Sequence, residues 1–154
     1  QTLYQIRYNL DMSELDRGLT QPVRNMLERF GKRWNWTVAY EAAEAVDQDL
    51  NAPGRAAVFR LIHQALENVA AHARATTVQV RLAAADERVF FEVRDDGVGS
   101  SSEERQRASN AGHLGLRTMR TRVESLGGEF RFDSELGQGT RVSGWLPVSL
   151  SVPS

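Results

Sequence analysis

Residues 95–99, with the sequence DDGVG, combine two carboxylates with two glycines directly after an apolar run that is typical of a β-strand. The strand would deliver the Asp95 carboxylate, partly desolvated, into a turn. Glycines permit positive φ angles and the close approach of a ligand to the backbone. A carboxylate accepts hydrogen bonds, so it can select the exocyclic amine of adenine over guanine. Asp-Gly is also a common turn dipeptide, and a plain hairpin turn is the structural alternative.

Two other segments carry residue types that suit the rest of a nucleotide. The amide oxygen of Asn68, on a predicted helix, is a reasonable ligand for Mg²⁺, which prefers oxygen donors together with phosphates and waters. Residues 112–115 (GHLG) precede another predicted helix, whose unpaired N–H groups favour an anion such as a triphosphate. A solvated polar residue and a loop-to-helix junction are the ordinary structural interpretations. Three such segments on different elements nonetheless predict one nucleotide site.

The composition limits the classes of protein to which the chain can belong. Its 154 residues fit one domain, and a net charge of −1 provides no global attraction to nucleic acid. The absence of cysteine excludes disulfides and thiolate metal sites. No apolar run approaches the ~20 residues of a membrane-spanning helix, and the first residues do not resemble a signal peptide. Because the sequence begins at Gln1, we expect a fragment of a longer protein.

The elements that must position these residues follow from hydrophobic periodicity. We predict helices over residues 13–34, 53–74 and 114–126, the first with Thr20 as its cap. We predict strands over residues 36–41, 76–82, 88–93, 129–133 and 140–146. Residues 41–51 are interpreted as a loop or short edge strand, and residues 100–110 as an exposed loop. Three helices and about five strands predict a two-layer α+β sandwich, with the helices on one face of a mixed sheet.

In order and spacing, four segments resemble the ATP-binding domain of sensor histidine kinases, over about residues 15–147. Residues 58–73 resemble its N box, residues 95–99 its G1 box, residues 112–123 its G2 box and residues 137–142 its closing strand pair. The resemblance extends to the superfamily of DNA gyrase, heat-shock chaperone and mismatch-repair ATPases, and it implies their Bergerat-type ATP-binding fold. The N and G2 boxes are similar to those of the subfamily whose response regulators carry a helix-turn-helix output domain.

The resemblance implies a role for each matching residue. Asp95 would hold the adenine amine, with Thr140 assisting through a water, and Asn68 would bind Mg²⁺. Residues 100–112 would form a lid over ATP. The other nucleotide-binding residues that it implies are His72, Gly97, Gly99, Gly112, His113, Leu114, Gly115 and Leu116.

The resemblance also implies how the chain is divided and what it works with. Residues 1–12 would be the remnant of an upstream dimerisation segment, residues 13–150 the ATP-binding catalytic domain and residues 151–154 a tail. No phosphoacceptor-histidine motif is present, so the substrate histidine would lie upstream in a homodimeric full-length protein. The implied partner is a response regulator with a DNA-binding output domain, without direct nucleic-acid binding by this chain. We expect a cytoplasmic domain, whether or not the full-length protein is anchored in a membrane.

Two residues depart from the pattern of the subfamily. Gln64 stands where a glutamate four residues before the asparagine usually serves as general base, and an amide cannot usefully accept a proton. Glu67 is adjacent to Asn68 but faces elsewhere, because one residue turns about 100° on a helix. Ala71 replaces a Lys or Arg that usually precedes the N-box histidine. Two alternatives to a histidine kinase therefore stay open: a degenerate nucleotide-binding or scaffolding module, and a protein-serine kinase acting on an anti-sigma regulator.

Overall fold

A five-stranded mixed sheet frames the part of the chain that the computed structural model describes, residues 14–98 and 115–148. The strands are β1 (Thr37–Ala42), β2 (Thr77–Ala85), β3 (Arg88–Asp95), β4 (Glu129–Glu135) and β5 (Gly139–Pro147). Their order across the sheet is β1-β2-β3-β5-β4. β1 pairs with β2 in parallel, and every other pair is antiparallel, as expected when hairpins and helical crossovers occur in one chain.

Four α-helices lie in the described part of the chain, one more than predicted. They are α1 (Thr20–Trp34), α2 (Ala45–Asp49), α3 (Ala52–Asn68) and α4 (Gly115–Ser125), with a short 3-10 helix at Glu14–Arg17 and a π-helical turn at Val69–Ala73. A loop or short edge strand was predicted for residues 41–51, and this was wrong for residues 45–49, which form α2; Glu41 and Ala42 are the end of the edge strand β1. Within residues 14–98 and 115–148, no helix is both long and apolar enough to cross a membrane.

The sheet has one buried face and one open face, as its residues show by alternating in exposure along β2 and β3. Val78 and Val80 on β2 and Val89 and Val93 on β3 are buried under the helices. The side chains between them turn to the other face, which no described helix covers. The predicted α+β sandwich with helices on one face of a mixed sheet is therefore confirmed.

The start of α1 differs from the prediction, because its cap comes from a distant residue. The Asp47 carboxylate, on α2, accepts hydrogen bonds from the backbone N–H of Leu19 (2.6 Å) and from both the N–H (2.8 Å) and the hydroxyl (2.7 Å) of Thr20. Thr20 is thus the first helical residue rather than the cap. Gly18 is required just before it, since its φ is +144° and a Cβ there would lie 2.8 Å from the Asp47 carboxyl carbon.

α3 is the helix that carries Gln64 and Asn68. It begins where the side chain of Asn51 accepts a hydrogen bond from the backbone N–H of Gly54 (3.0 Å). The predicted helix over residues 53–74 is largely confirmed, but its last turn, Val69–Ala73, is π-helical and ends at Arg74, whose φ is +53°. π-Helical turns are uncommon and occur frequently at functional sites.

Candidate nucleotide-binding site

Asp95 is the last residue of β3, and its side chain lies on the helix-covered face, directly opposite the buried Val78. Only 5% of its surface is exposed, and among the described residues it is the sole charged side chain that is buried. Its Oδ1 accepts a hydrogen bond from the backbone N–H of Gly97 (2.7 Å). Burial raises the pKa of Asp95 despite this bond, and the neighbouring Asp96 charge raises it further. The site therefore holds an acceptor whose charge is poorly solvated.

Asp96 has a different structural role from its neighbour, because it directly follows β3 and its side chain contacts the start of β2. Its exposed carboxylate accepts hydrogen bonds from the N–H (2.8 Å) and hydroxyl (2.6 Å) of Thr76 and from the N–H of Thr77 (2.9 Å). These bonds lower the pKa of Asp96. Asp96 thus joins the start of β2 to the end of β3, and only Asp95 is directed into the covered face.

A row of three polar side chains crosses the sheet at this point. Thr140 on β5 lies directly opposite Asp95, and Ser134 on β4 lies directly opposite Thr140. The hydroxyl oxygens of Ser134 and Thr140 are 2.8 Å apart and share a hydrogen bond. The family resemblance associated Thr140 with Asp95, and the strand register brings the two together. Ser134 was not predicted, because a serine in a hairpin strand carries no signal of its own.

The turn between β4 and β5 holds the segment that follows Asp95. The backbone N–H of Gly137 donates a hydrogen bond to the carbonyl oxygen of Val98 (2.8 Å). Gly139 has a φ of +81°, and a Cβ there would lie only 2.0 Å from the carbonyl oxygen of Asp95. A residue with a side chain would therefore separate β5 from β3 at the buried carboxylate.

Gln64 and Asn68 lie on one side of α3, four residues apart, and both are half-buried. α3 packs against β3, the strand that ends at Asp95. Glu67 is exposed and lies 3.5 Å from His63, so it faces away from Asn68 as its helical position predicts. The helix thus presents two neutral amides, and no acid, on the face that Gln64 and Asn68 share.

Residues 54–150 match the family model described as histidine kinase-, DNA gyrase B- and HSP90-like ATPase. The chain belongs to this ATPase family. The match includes the buried Asp95, the Ser134–Thr140 pair and both amides of α3, so the polar row and the helix belong to an ATP-binding domain.

Relatives of this ATPase domain are sensor histidine kinases. The chain is 34% identical over 116 residues to the sensor histidine kinase NarS of Mycobacterium tuberculosis, covering 73% of this chain and 27% of that protein. It is 31% identical to the kinase/phosphatase DegS of Bacillus subtilis, covering 70% and 28%. The structure of the blue-light activated histidine kinase EL346 of Erythrobacter litoralis superposes with a TM-score of 0.70 at 26% identity, covering 86% of this chain and 42% of that one. The chain thus spans about a quarter of these curated relatives.

Several residues that the resemblance implied for the ATPase site are not among the described residues. Gly99, Gly112, His113 and Leu114 lie outside them, as do residues 100–112, and the side chain of His72 is likewise outside the description. Gly115 begins α4, and the half-buried Leu116 packs against the core. The structure therefore brings together Asp95, Gly97 and Thr140, with α3 packed beside them.

A cleft of about 800 Å³ lies at the same end of the ATPase domain. Its lining includes Asp95 and Thr140, but also Arg94 and Arg141, which the strand alternation places on the open face. None of its described lining residues belongs to α3. The size suits a small molecule, but the cleft does not coincide with the face on which Gln64 and Asn68 lie.

Proposed function

We propose that this chain is the catalytic domain of a sensor histidine kinase, which binds MgATP and transfers its γ-phosphoryl group to a histidine upstream in the full-length protein. The observation that carries the proposal is the buried Asp95 carboxylate at a strand end, in register with two hydroxyls, in a chain whose relatives are named sensor histidine kinases. The full-length protein would act as a cytoplasmic homodimer module and pass the phosphoryl group to a response regulator with a DNA-binding output domain.

Asp95 supports this function through hydrogen-bond complementarity. A carboxylate has only acceptors, so it matches the N6 amine of adenine and repels the O6 oxygen of guanine. The short bond from Gly97 fixes the orientation of the carboxylate before the base arrives. Because burial keeps water away from Asp95, a hydrogen bond to the base does not compete with a full hydration shell.

Asn68 is the residue that we assign to Mg²⁺. Among the described residues, no three His, Cys, Asp or Glu side chains come together in a metal-binding group. A half-buried amide oxygen therefore fits an ion that is held mostly by phosphate oxygens and waters. When bound, Mg²⁺ would neutralise charge on the phosphates.

Asn68→Ala tests this assignment in the chain as it stands. We expect the variant to lose affinity for MgATP while its affinity for metal-free ATP changes little, as measured by calorimetry. Glu67→Ala is the matched control, because it removes the adjacent exposed side chain, which faces away from Asn68. Equal losses with and without the metal would assign Asn68 to packing or to a direct phosphate contact.

Gln64 determines how fast the proposed transfer can be. In that step a bond forms between an imidazole nitrogen and the γ-phosphorus, the bond from the phosphorus to the β,γ-bridging oxygen breaks, and the imidazole N–H proton must leave. An amide cannot take that proton, and loss of a general base typically costs about 10²–10⁴ in rate. Positioning and charge neutralisation supply most of the catalysis of phosphoryl transfer, so a slow kinase is expected rather than an inactive one.

Gln64→Glu in the full-length protein tests this conclusion. We expect faster phosphohistidine formation at saturating MgATP, by at least about tenfold, with nearly unchanged affinity for ATP. A wild-type protein that is already fast, and that the substitution does not accelerate, would show that Gln64 is not at the base position. If both proteins bind ATP and neither phosphorylates a histidine, the chain is a degenerate nucleotide-binding module, the second candidate that Gln64 favours.

A further inference from the structure

We propose that Ser134 is a positioning residue for base selectivity, which orients the Thr140 hydroxyl so that it donates a hydrogen bond toward the base. The inference rests on the proposed ATP binding and assigns a role to a residue on β4. Ser134 lies outside the four segments that resemble the kinase boxes, and the strand register connects it with the site.

The geometry places Ser134 one strand beyond Thr140 in the same row. Asp95 pairs with Thr140 across β3 and β5, and Thr140 pairs with Ser134 across β5 and β4. Side chains directly opposite each other on one face have Cβ atoms about 4.5–5.5 Å apart, so neighbours in the row are in contact range. The 2.8 Å separation of the two hydroxyl oxygens is an ordinary O–H···O hydrogen bond. Both side chains are part-buried, which strengthens the bond.

A hydroxyl has one hydrogen, so the direction of the Ser134–Thr140 bond decides what Thr140 offers to a ligand. If Thr140 donates to Ser134, it presents only lone pairs to the site. If Ser134 donates to Thr140, the Thr140 hydrogen is free to be donated toward the base, directly or through one water. The Ser134 hydroxyl also lies 3.4 Å from the carbonyl oxygen of Gly139 and can donate its hydrogen there instead. A base that selects the second direction therefore exchanges this long hydrogen bond for the shorter one to Thr140.

The second direction matches adenine and opposes guanine. Asp95 accepts from the N6 amine, and the Thr140 hydroxyl donates toward N1, which in adenine is a bare acceptor. Guanine reverses both groups, because its N1 carries a hydrogen and its position 6 carries a carbonyl oxygen. Without Ser134, the Thr140 hydrogen loses the partner that directs it, and the N1 contact weakens while the Asp95 contact remains.

The test compares ATP with 1-deaza-ATP, in which a C–H group replaces N1. We expect the wild-type chain to bind 1-deaza-ATP about five- to tenfold more weakly than ATP, the equivalent of one hydrogen bond. Ser134→Ala is expected to weaken the binding of ATP while leaving that of 1-deaza-ATP almost unchanged, so that the discrimination between the two nucleotides narrows. Ser134→Thr keeps the hydroxyl and is expected to restore it. Ser143→Ala is the matched control, because Ser143 lies on the open face opposite Glu92.

Equal weakening of ATP and 1-deaza-ATP by Ser134→Ala would assign Ser134 a general structural role and overturn the inference. The inference would also be overturned if the Ser134→Ala variant, with a native circular dichroism spectrum, still discriminated between ATP and 1-deaza-ATP as strongly as the wild-type chain. Both results leave the proposed function intact, since the wild-type chain binds ATP in each. A wild-type chain that binds neither nucleotide would overturn the proposed function, and this inference with it.

Discussion

At the scale of single residues, the two adjacent aspartates respond in opposite ways to folding. The pKa of Asp95 is raised because the carboxylate is buried, so ionised Asp95 destabilises the folded chain. Between its unfolded and folded pKa values the folded state binds more protons, and stability falls as the pH rises. The pKa of Asp96 is lowered by its hydrogen bonds to Thr76, so ionised Asp96 stabilises the folded chain. This stabilisation is fully present above the pKa that Asp96 has in the unfolded chain, and it is lost as the pH falls through its pKa in the folded chain.

The pair Asp95→Asn and Asp96→Asn separates function from stability. Asp95→Asn is expected to raise the melting temperature at pH 7, and this increase should become smaller as the pH is lowered. The same substitution is expected to weaken ATP binding by about 1–3 kcal/mol. Asp96→Asn makes the same chemical change one residue along, and it is expected to lower the melting temperature and to spare ATP binding. The measurements are thermal unfolding against pH and calorimetry with ATP. Two variants that shift stability in the same direction would contradict this division of roles.

At the scale of elements, the β4–β5 turn holds the residues that follow Asp95 in place, through the bond from Gly137 to Val98. Gly139→Ala would bring a Cβ to 2.0 Å from the Asp95 carbonyl oxygen, so we expect loss of ATP binding together with marked destabilisation. Gly137→Ala is the matched control in the same turn, because its φ is similarly positive at +77° but no atom lies within 4 Å of the added Cβ. It should cost only the backbone strain, about 1–2 kcal/mol, and keep ATP binding. The measurements are thermal unfolding and titration with ATP for both variants, and equal ATP affinity in the two would show that the close contact between Gly139 and Asp95 does not matter for binding.

What the sequence could predict depended on how local the cause was. The alternation in β2 and β3 and the apolar periodicity of α3 are local, and all three elements were predicted within a few residues of their ends. The cap of α1 was predicted wrongly because Asp47 lies 27 residues from Thr20. The contact of Asp96 with Thr76, 20 residues away, and the contact of Ser134 with Thr140, only six residues away, could not be predicted for a different reason, because both depend on the exact register of paired strands. The roles of Asn68 and Gln64 stay predictions.

At the scale of the whole molecule, the open face of the sheet is crossed by a ladder of ion pairs. It runs from Glu41 through Arg81, Glu92 and Arg141 to Asp133, one residue on each of the five strands, with N···O distances of 3.4, 3.7, 3.8 and 3.2 Å. Opposite charges that face each other across strands stabilise a sheet, although each exposed pair contributes at most about 1 kcal/mol. No described helix covers this face of the sheet, and the ladder keeps the face polar and its side chains ordered.

Glu92 is the central member of this ladder, since it is 19% exposed and bridges two arginines. Glu92→Gln would leave Arg81 and Arg141 without their shared carboxylate, while Arg141 still lies opposite Arg94. We expect the free energy of unfolding to fall by about 1 kcal/mol in low salt. The loss should be smaller at 1 M salt, because the Debye screening length is then only about 3 Å. ATP affinity should not change, because the ladder is on the face away from Asp95. Glu124→Gln removes a single exposed pair on α4, 4.0 Å from Arg120, and should cost less than half as much. A salt-independent loss, or equal losses in the two variants, would show that the ladder does not act as a network.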